Sequence, residues 1–328
     1  MKHHIFKYRE PENYKPILDF KFDSVKIALR SLINDTNVEH IYDKYLFISN
    51  DILASLASST LYKDYRNKSE FLLYCINKTN EVTWKINTLK DEKSSISIFG
   101  KQNVITKPNQ KRPLSFIDWL EYISVAEIIG FNSESSVLSR KITPSDISVQ
   151  SDSDAFNQFH KHCFSLFNAF FQGEKTESVQ IEHLRAIEPY LERGKITEIT
   201  GNQYLQYYYQ WLIFPLISLI ACSWGYDNSP FERAVEVAIQ ANYEYYSMVA
   251  PENGDETGEN SRYLYDKHAV FHLYLNAMVK KHIALTGKKI DFDSVYLIDW
   301  MIYEDLSYIR DKFETGESAS EIFDRTFP

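Results

Sequence analysis

The sequence predicts an all-α fold, with antiparallel helix hairpins packed as a bundle or as an irregular TPR-like array. Three observations predict it. The 328 residues hold only 10 Gly and 10 Pro, too few punctuators for a turn-rich β architecture. Apolar residues recur at +3 and +4 spacing over most of the chain beyond Asp23. Start and stop signals bound these runs, among them Ser115-Phe-Ile-Asp118, Gly130, Gly173 and Ser229-Pro-Phe-Glu232. No strict 34-residue repeat is present, so a regular solenoid is not predicted.

Taken in order, residues 1–20 are polar and interrupted by proline, which predicts an extended arm or a short helix. Val25, Leu29, Leu32 and Ile33 then mark a short amphipathic segment. A longer helix is predicted between Val38 and Leu61, and another from Lys68 to about Leu89 through Phe71, Leu72, Cys75, Val82 and Ile86. Residues 91–113 read as a loop with a small hairpin around Ile96 to Phe99, and they mark a boundary. The organisation predicted is an N-terminal helical region, 1–112, and a C-terminal helical domain, 113–328, with a single continuous domain as the alternative.

In the second region Trp119, Tyr122, Ile123, Ala126 and Ile129 share one helix face. A polar linker spans 139–153. Helices follow from Asp154 to Phe171, Ser178 to Leu191 and Gly201 to Trp224, the last kinked at Pro215. Its apolar run, Trp211 to Trp224, is shorter than the ~20 residues of a membrane span, so a buried core helix is expected. A helix starting at Ser229 comes next. Another carries Leu264, His268, Phe271, Leu275, Met278, His282 and Leu285 on one stripe.

Composition narrows the class of function. Apolar residues at 44% and aromatics at 15% exclude a disordered chain. Cys75, Cys163 and Cys222 are odd in number and far apart, with no CxxC, which points to reduced core thiols and a cytoplasmic protein. The first ten residues lack an apolar signal segment. Residues 1–112 carry 19 Lys/Arg against 13 Asp/Glu, whereas the rest carries 17 against 32, for a net charge of −9. This excess of acid argues against nucleic acid as a direct partner and suits a basic protein.

The residues examined for chemistry yield no nucleophile–base pair, no phosphate loop and no cofactor motif. His268 and His272 have the i,i+4 spacing of a helical metal pair, but Ala-Val-Phe between them lacks the Glu of HExxH. His160, His162 and Cys163 would point in different directions on a helix. Tyr207, Tyr208 and Tyr209, with Tyr243, Tyr245 and Tyr246, read as core packing whose hydroxyls reach the rim. Two acidic stretches are candidate partner contacts: Asp255, Glu256 and Glu259 in a Gly-containing loop, and Asp291, Asp293, Asp299 and Glu304 nearer the C-terminus.

Some of these runs are similar to a known family. Ser229-Pro-Phe-Glu-Arg-Ala-Val-Glu with Asn242-Tyr-Glu-Tyr-Tyr resembles the penultimate helix of the bacterial immunity protein 49 family. His268-Ala-Val-Phe-His-Leu-Tyr-Leu-Asn-Ala-Met-Val resembles its last long helix. Thr286-Gly-Lys-Lys-Ile-Asp-Phe-Asp-Ser-Val-Tyr-Leu resembles its close, and Asp118-Trp-Leu-Glu-Tyr-Ile-Ser-Val-Ala-Glu its Trp-containing central helix. The resemblance covers about residues 40–303. It departs where members often place Pro after the closing Tyr-Leu and this chain has Ile298-Asp299.

The resemblance implies a cytoplasmic, non-enzymatic immunity protein of a polymorphic toxin system. It would neutralise a secreted effector in interbacterial competition by stoichiometric occlusion of the toxin's active site or substrate groove. The family supplies no catalytic residues and no cofactor. A basic toxin domain is the partner implied, a nuclease being the class best matched by acidic mimicry. The competing expectations are a helical adaptor with no toxin partner and a helical metalloenzyme using His268 and His272.

Overall fold

The computed structural model describes residues 11–34, 51–88, 93–98, 101–106, 114–130, 141–149, 151–254, 266–291, 294–315, 317 and 319–326. Within them the fold is all-α, with one antiparallel two-stranded hairpin. α1 runs Pro11–Asn34, beginning well before the amphipathic run that predicted it. Pro16 lies early in this helix, where its missing N–H costs a single backbone bond. Residues 51–59 form α2, and α3 is Arg66–Thr88. The hairpin pairs β1, Lys93–Ile98, with β2, Lys101–Thr106, so that Ile96 lies opposite Asn103.

α4, Phe116–Ile129, is the helix the others surround. Its start is the predicted capping box: Ser115 Oγ accepts from Asp118 N at 3.1 Å, and the Asp118 carboxylate accepts from Ser115 N at 3.1 Å. It is apolar all round and buries residues on every face, including Trp119, Leu120, Tyr122 and Val125. Trp84 of α3 stacks on Tyr122 at 4.7 Å between ring centres, and Trp119 meets Phe164 edge-on at 4.7 Å. One apolar cluster contains Leu18, Phe71, Trp119, Phe167, Leu275 and Ile322, so the described parts on either side of residue 112 share a core.

Phe164 lies on α5, Asp154–Gln172, which Ser153 caps through its hydroxyl. Gly173 closes that helix at φ +73°, and a Cβ there would meet Leu285 Cδ2 at 3.0 Å. Gly173→Ala is therefore expected to cost about 1–2 kcal/mol, from left-handed strain plus the crowded methyl. An unchanged urea midpoint for this variant would refute the account.

α6, Glu177–Ile187, and α7, Lys195–Thr200, lead into a composite helix. It consists of α8, Gln203–Tyr208, a π-helical turn at Tyr209–Ile213, and α9, Phe214–Ser223. The kink expected at Pro215 is thus a π turn just before it. Pro215 offers no N–H to the preceding turn, and widening that turn lets the Phe214 N–H reach back to Tyr209 O. The same device recurs after α10, Phe231–Glu244: a π turn at Tyr245–Val249 precedes Pro251 in the short α11, Ala250–Asn253. Gln203–Ser223, continuous at 21 residues, is long and apolar enough to cross a membrane, which corrects the shorter run read from Trp211. Half of its apolar window is buried inside the protein.

Two further expectations are corrected. α10 starts at Phe231 with Pro230 as its N-cap and no side-chain cap, and Ser229 N instead donates to Asp227 Oδ1 at 2.8 Å. The 264–285 stripe is not one helix. α12, Lys267–Val270, ends at Phe271 in extended conformation, and α13, Leu273–Thr286, starts afresh. Leu264 lies outside the described residues, and Leu285 is 40% exposed.

α14, Asp299–Tyr303, α15, Tyr308–Phe313, and α16, Ala319–Thr326, complete the chain. α15 is fastened to α3 by charge as well as by Phe313, which meets Phe71 edge-on at 5.2 Å. Glu70 takes Lys312 at 2.6 Å, Arg66 at 2.6 Å and the Tyr308 hydroxyl at 2.7 Å, and Lys78 pairs with Glu314. Beside these lies a cavity of about 20 Å³ lined by Tyr74, Asn77, Lys78, Glu81, Ile129, Ile309 and Arg310. Lys280 of α13 donates to three carbonyls, Ile128 O at 2.8 Å, Glu304 O at 2.9 Å and Met301 O at 3.1 Å.

Candidate functional site

Of the acids singled out in the sequence, Asp255, Glu256, Glu259 and Asp293 lie outside the described residues. Asp291 and Asp299 are exposed, and the charges of both act on Tyr303. Burial first, then the charges of Asp299 and Asp291, push the Tyr303 phenol up. Its hydroxyl donates to Ile290 O. Tyr303, Val295 and Tyr308 are each 41% exposed, so the stretch that carries these acids also carries exposed apolar area. Glu304 is exposed too, but its carboxylate accepts from Arg66 at 2.8 and 3.3 Å, and that guanidinium lies 3.9 Å from the Trp300 ring centre. Its charge serves the α3 clasp.

The histidine pair does not sit on one helix. His268 lies on α12, with Nε2 3.6 Å from Glu121, and His272 is the N-cap residue of α13 beyond the Phe271 break. Burial lowers His268 well below the usual imidazole range and brings His272 to about 3, so both are neutral near pH 7. No group of three or more His, Cys, Asp or Glu suited to a metal occurs among the described residues. His160 faces the core, where Phe116 N–H donates to its Nδ1 at 3.4 Å and Tyr209 Oη lies 2.7 Å from Nε2. The half-buried His162 ring faces Tyr190, and burial raises the Cys163 thiol.

The tyrosines form a structure that no motif announced. The two π turns meet in a satellite cluster of Leu212, Tyr245, Tyr246, Ala250 and Ala269, with Tyr207, Tyr208, Trp211 and Val249 packed against it. Tyr245 and Tyr246 are buried as expected, while Tyr207, Tyr208 and Trp211 are half-buried and Tyr204 is 59% exposed. Glu121 of α4 contacts Lys267 and His268, next to Asp266. Burial, then Asp266, Tyr245, Glu121 and Asp118, raise the Tyr208 phenol well above its ordinary value. Ser247 Oγ in the second π turn, Asn242 Nδ2 on α10 and Tyr274 Oη on α13 are buried with no hydrogen-bond partner among the described residues. Pro215 and Pro251, each just beyond a tyrosine run, were the available signal for the π turns.

One nucleophile–base contact, invisible in a sequence separation of 59, is Ser223 Oγ to His282 Nδ1 at 2.8 Å. Phe231 lies flat on the imidazole at 3.6 Å between ring centres, and burial lowers His282 to about 4. The contact ties α9 to α13 beneath an apolar lid.

No known family profile, curated protein or solved structure matches the chain.

Proposed function

We propose that this protein is a cytoplasmic immunity protein that binds a cognate antibacterial toxin one-to-one and covers its active site or substrate groove. The observation that supports this reading best is the stretch from Asp291 to Tyr308, in which Asp291, Val295, Asp299, Tyr303 and Tyr308 are all exposed. Acids of this kind steer a basic domain towards contact, and rings beside them supply area that dries on docking. The resemblance of the runs within 229–246, 268–279 and 286–301 to the immunity protein 49 family, with no family profile matching the chain, points the same way. A nuclease, whose substrate groove is itself basic, is the toxin class such a surface suits.

Co-expression with the protein encoded immediately upstream tests the proposal. Rescue of growth with isolation of a 1:1 complex is the expected result, and absence of both would overturn it in favour of an adaptor role. Within such a complex, Asp291→Lys combined with Asp299→Lys is expected to slow association about tenfold at low salt, leaving dissociation nearly unchanged. Equal association rates in stopped flow would remove these two acids from the interface.

A further inference from the structure

We propose that the tyrosine cluster at the paired π turns is a second, anchoring site, which receives an arginine side chain of a polypeptide partner. The inference rests on the partner-binding reading for the partner's identity, whereas the chemistry of the site stands on four local observations.

The first is shape. Tyr204, Tyr207, Tyr208 and Trp211 stand at i, i+3, i+4 and i+7, and Tyr207, Tyr208, Trp211 and, from the second π turn, Val249 pack on one cluster. Tyr204 is 59% and Met248 42% exposed, so the outer edge of this aromatic wall faces solvent. Tyr, Trp and Met are the residue types enriched where interfaces bury anchors.

The second is charge. Asp118, Glu121 and Asp266 flank Tyr208 and Tyr274. Lys267 compensates Glu121 at 2.8 Å, and His268 beside it is neutral. The Asp118 carboxylate accepts from Ser115 N and from Ser115 Oγ, that of Asp266 accepts from His268 N, and neither has a cationic partner among the described residues. From Gly201 to Gly254 the chain carries five acids and one base, Arg233.

The third is unmet hydrogen bonding. Tyr274 is 3% exposed and its hydroxyl has no partner. A buried hydroxyl left without a partner costs free energy that an incoming polar group would recover. It lies close enough to Tyr208, Glu121, Asp118 and Asp266 for their charges to act on it.

The fourth is backbone. π turns are uncommon within helices and recur at functional sites; here two of them meet in one cluster. Aromatic faces, carboxylates and a hydrogen-bonding hydroxyl together match guanidinium, which stacks flat on rings while donating in its plane.

The test uses the full-length protein and a fluorescein-labelled, capped peptide of three Gly-Arg repeats, with a Gly-Glu peptide as counterpart. Two double variants should leave the fold intact: Asp118→Asn/Asp266→Asn, since Asn can still serve the caps, and Tyr204→Ala/Met248→Ala, at exposed positions. Binding of the arginine peptide alone, weakened at least fivefold in both variants, is the expected result. Failure of wild type to bind it, or equal binding by all three proteins, overturns the proposal. The same variants in the co-expression assay separate the two ideas. Peptide binding without rescue sinks the toxin reading and keeps the site. Rescue and toxin affinity unchanged in both variants sink the site and keep the toxin reading.

Discussion

Stability is expected to fall steeply as the pH drops below about 6.5, before most carboxylates titrate. His160 and His272 are held near 3 and His282 near 4 by burial, and His268 lies well below the ordinary range. Each has a folded-state pKa below its unfolded value, so between the two values the unfolded chain binds the extra proton. The stability they contribute is complete above about 6.5. It is lost as the pH falls through 4 for His282 and towards 3 for His160 and His272. Each fully protonated-on-unfolding imidazole adds a slope of up to about 1.4 kcal/mol per pH unit. Several together can consume a net stability of about 5–15 kcal/mol within two to three pH units. Urea titrations from pH 8 to 4 measure this. His160→Gln, which cannot titrate, should begin less stable and show a shallower decline. A stability curve flat down to pH 4 would show that these imidazoles are not buried as neutral groups. Glu70 and Glu304, whose cationic partners oppose burial and lower them, act in a separate window below about 4.5.

The second large effect belongs to Asn276→Leu, expected to destabilise by about 3 kcal/mol or more. Asn276 is fully buried on α13 and stitches that helix to the segment preceding α14. Its Nδ2 donates to His272 O at 2.9 Å and Tyr296 O at 2.8 Å, and its Oδ1 accepts from Ile298 N at 2.7 Å. Leucine of similar volume would strand the Tyr296 carbonyl and the Ile298 N–H in the core, where neither finds water. A lower urea midpoint at constant slope is the expected signature. A change under 0.5 kcal/mol would mean that the segment can relax to rehydrate both groups.

How far the sequence could be read depends on whether each signal is local. α4 and α5 were legible because Ser115, Asp118, Ser153 and Gly173 carry their caps in adjacent residues, and α3 because its apolar residues keep helical spacing. The break at Phe271 was not, because His268, Phe271 and Leu275 keep helical spacing straight through it. There a new start at His272, with Asn276 bonded to both its carbonyl and Tyr296, overrides periodicity. For the candidate surfaces, exposed acids such as Asp291 and Asp299 could be named from composition. That they share Tyr303, and that Glu304 is already engaged by Arg66 some 238 residues away, required the fold. The tyrosine runs were read as core packing, which holds for the buried Tyr209, Tyr245 and Tyr246 and for Tyr208 and Tyr243 packed against the core. What escaped was the widening of two turns ahead of Pro215 and Pro251, which brings separate runs into one wall.

Lys280 has a meaning beyond its three bonds. The carbonyls it gathers belong to the ends of α4 and α14, oxygens that a helix terminus otherwise leaves to solvent. Three carbonyl oxygens converging on one compact cation make the kind of shell that proteins elsewhere build around a sodium or potassium ion. Here the ion is tethered. Burial lowers the pKa of this ammonium, with Glu127, Asp305 and Glu304 opposing. The junction between the central helix and the C-terminal segment thus carries its own counter-ion, one that dialysis cannot remove.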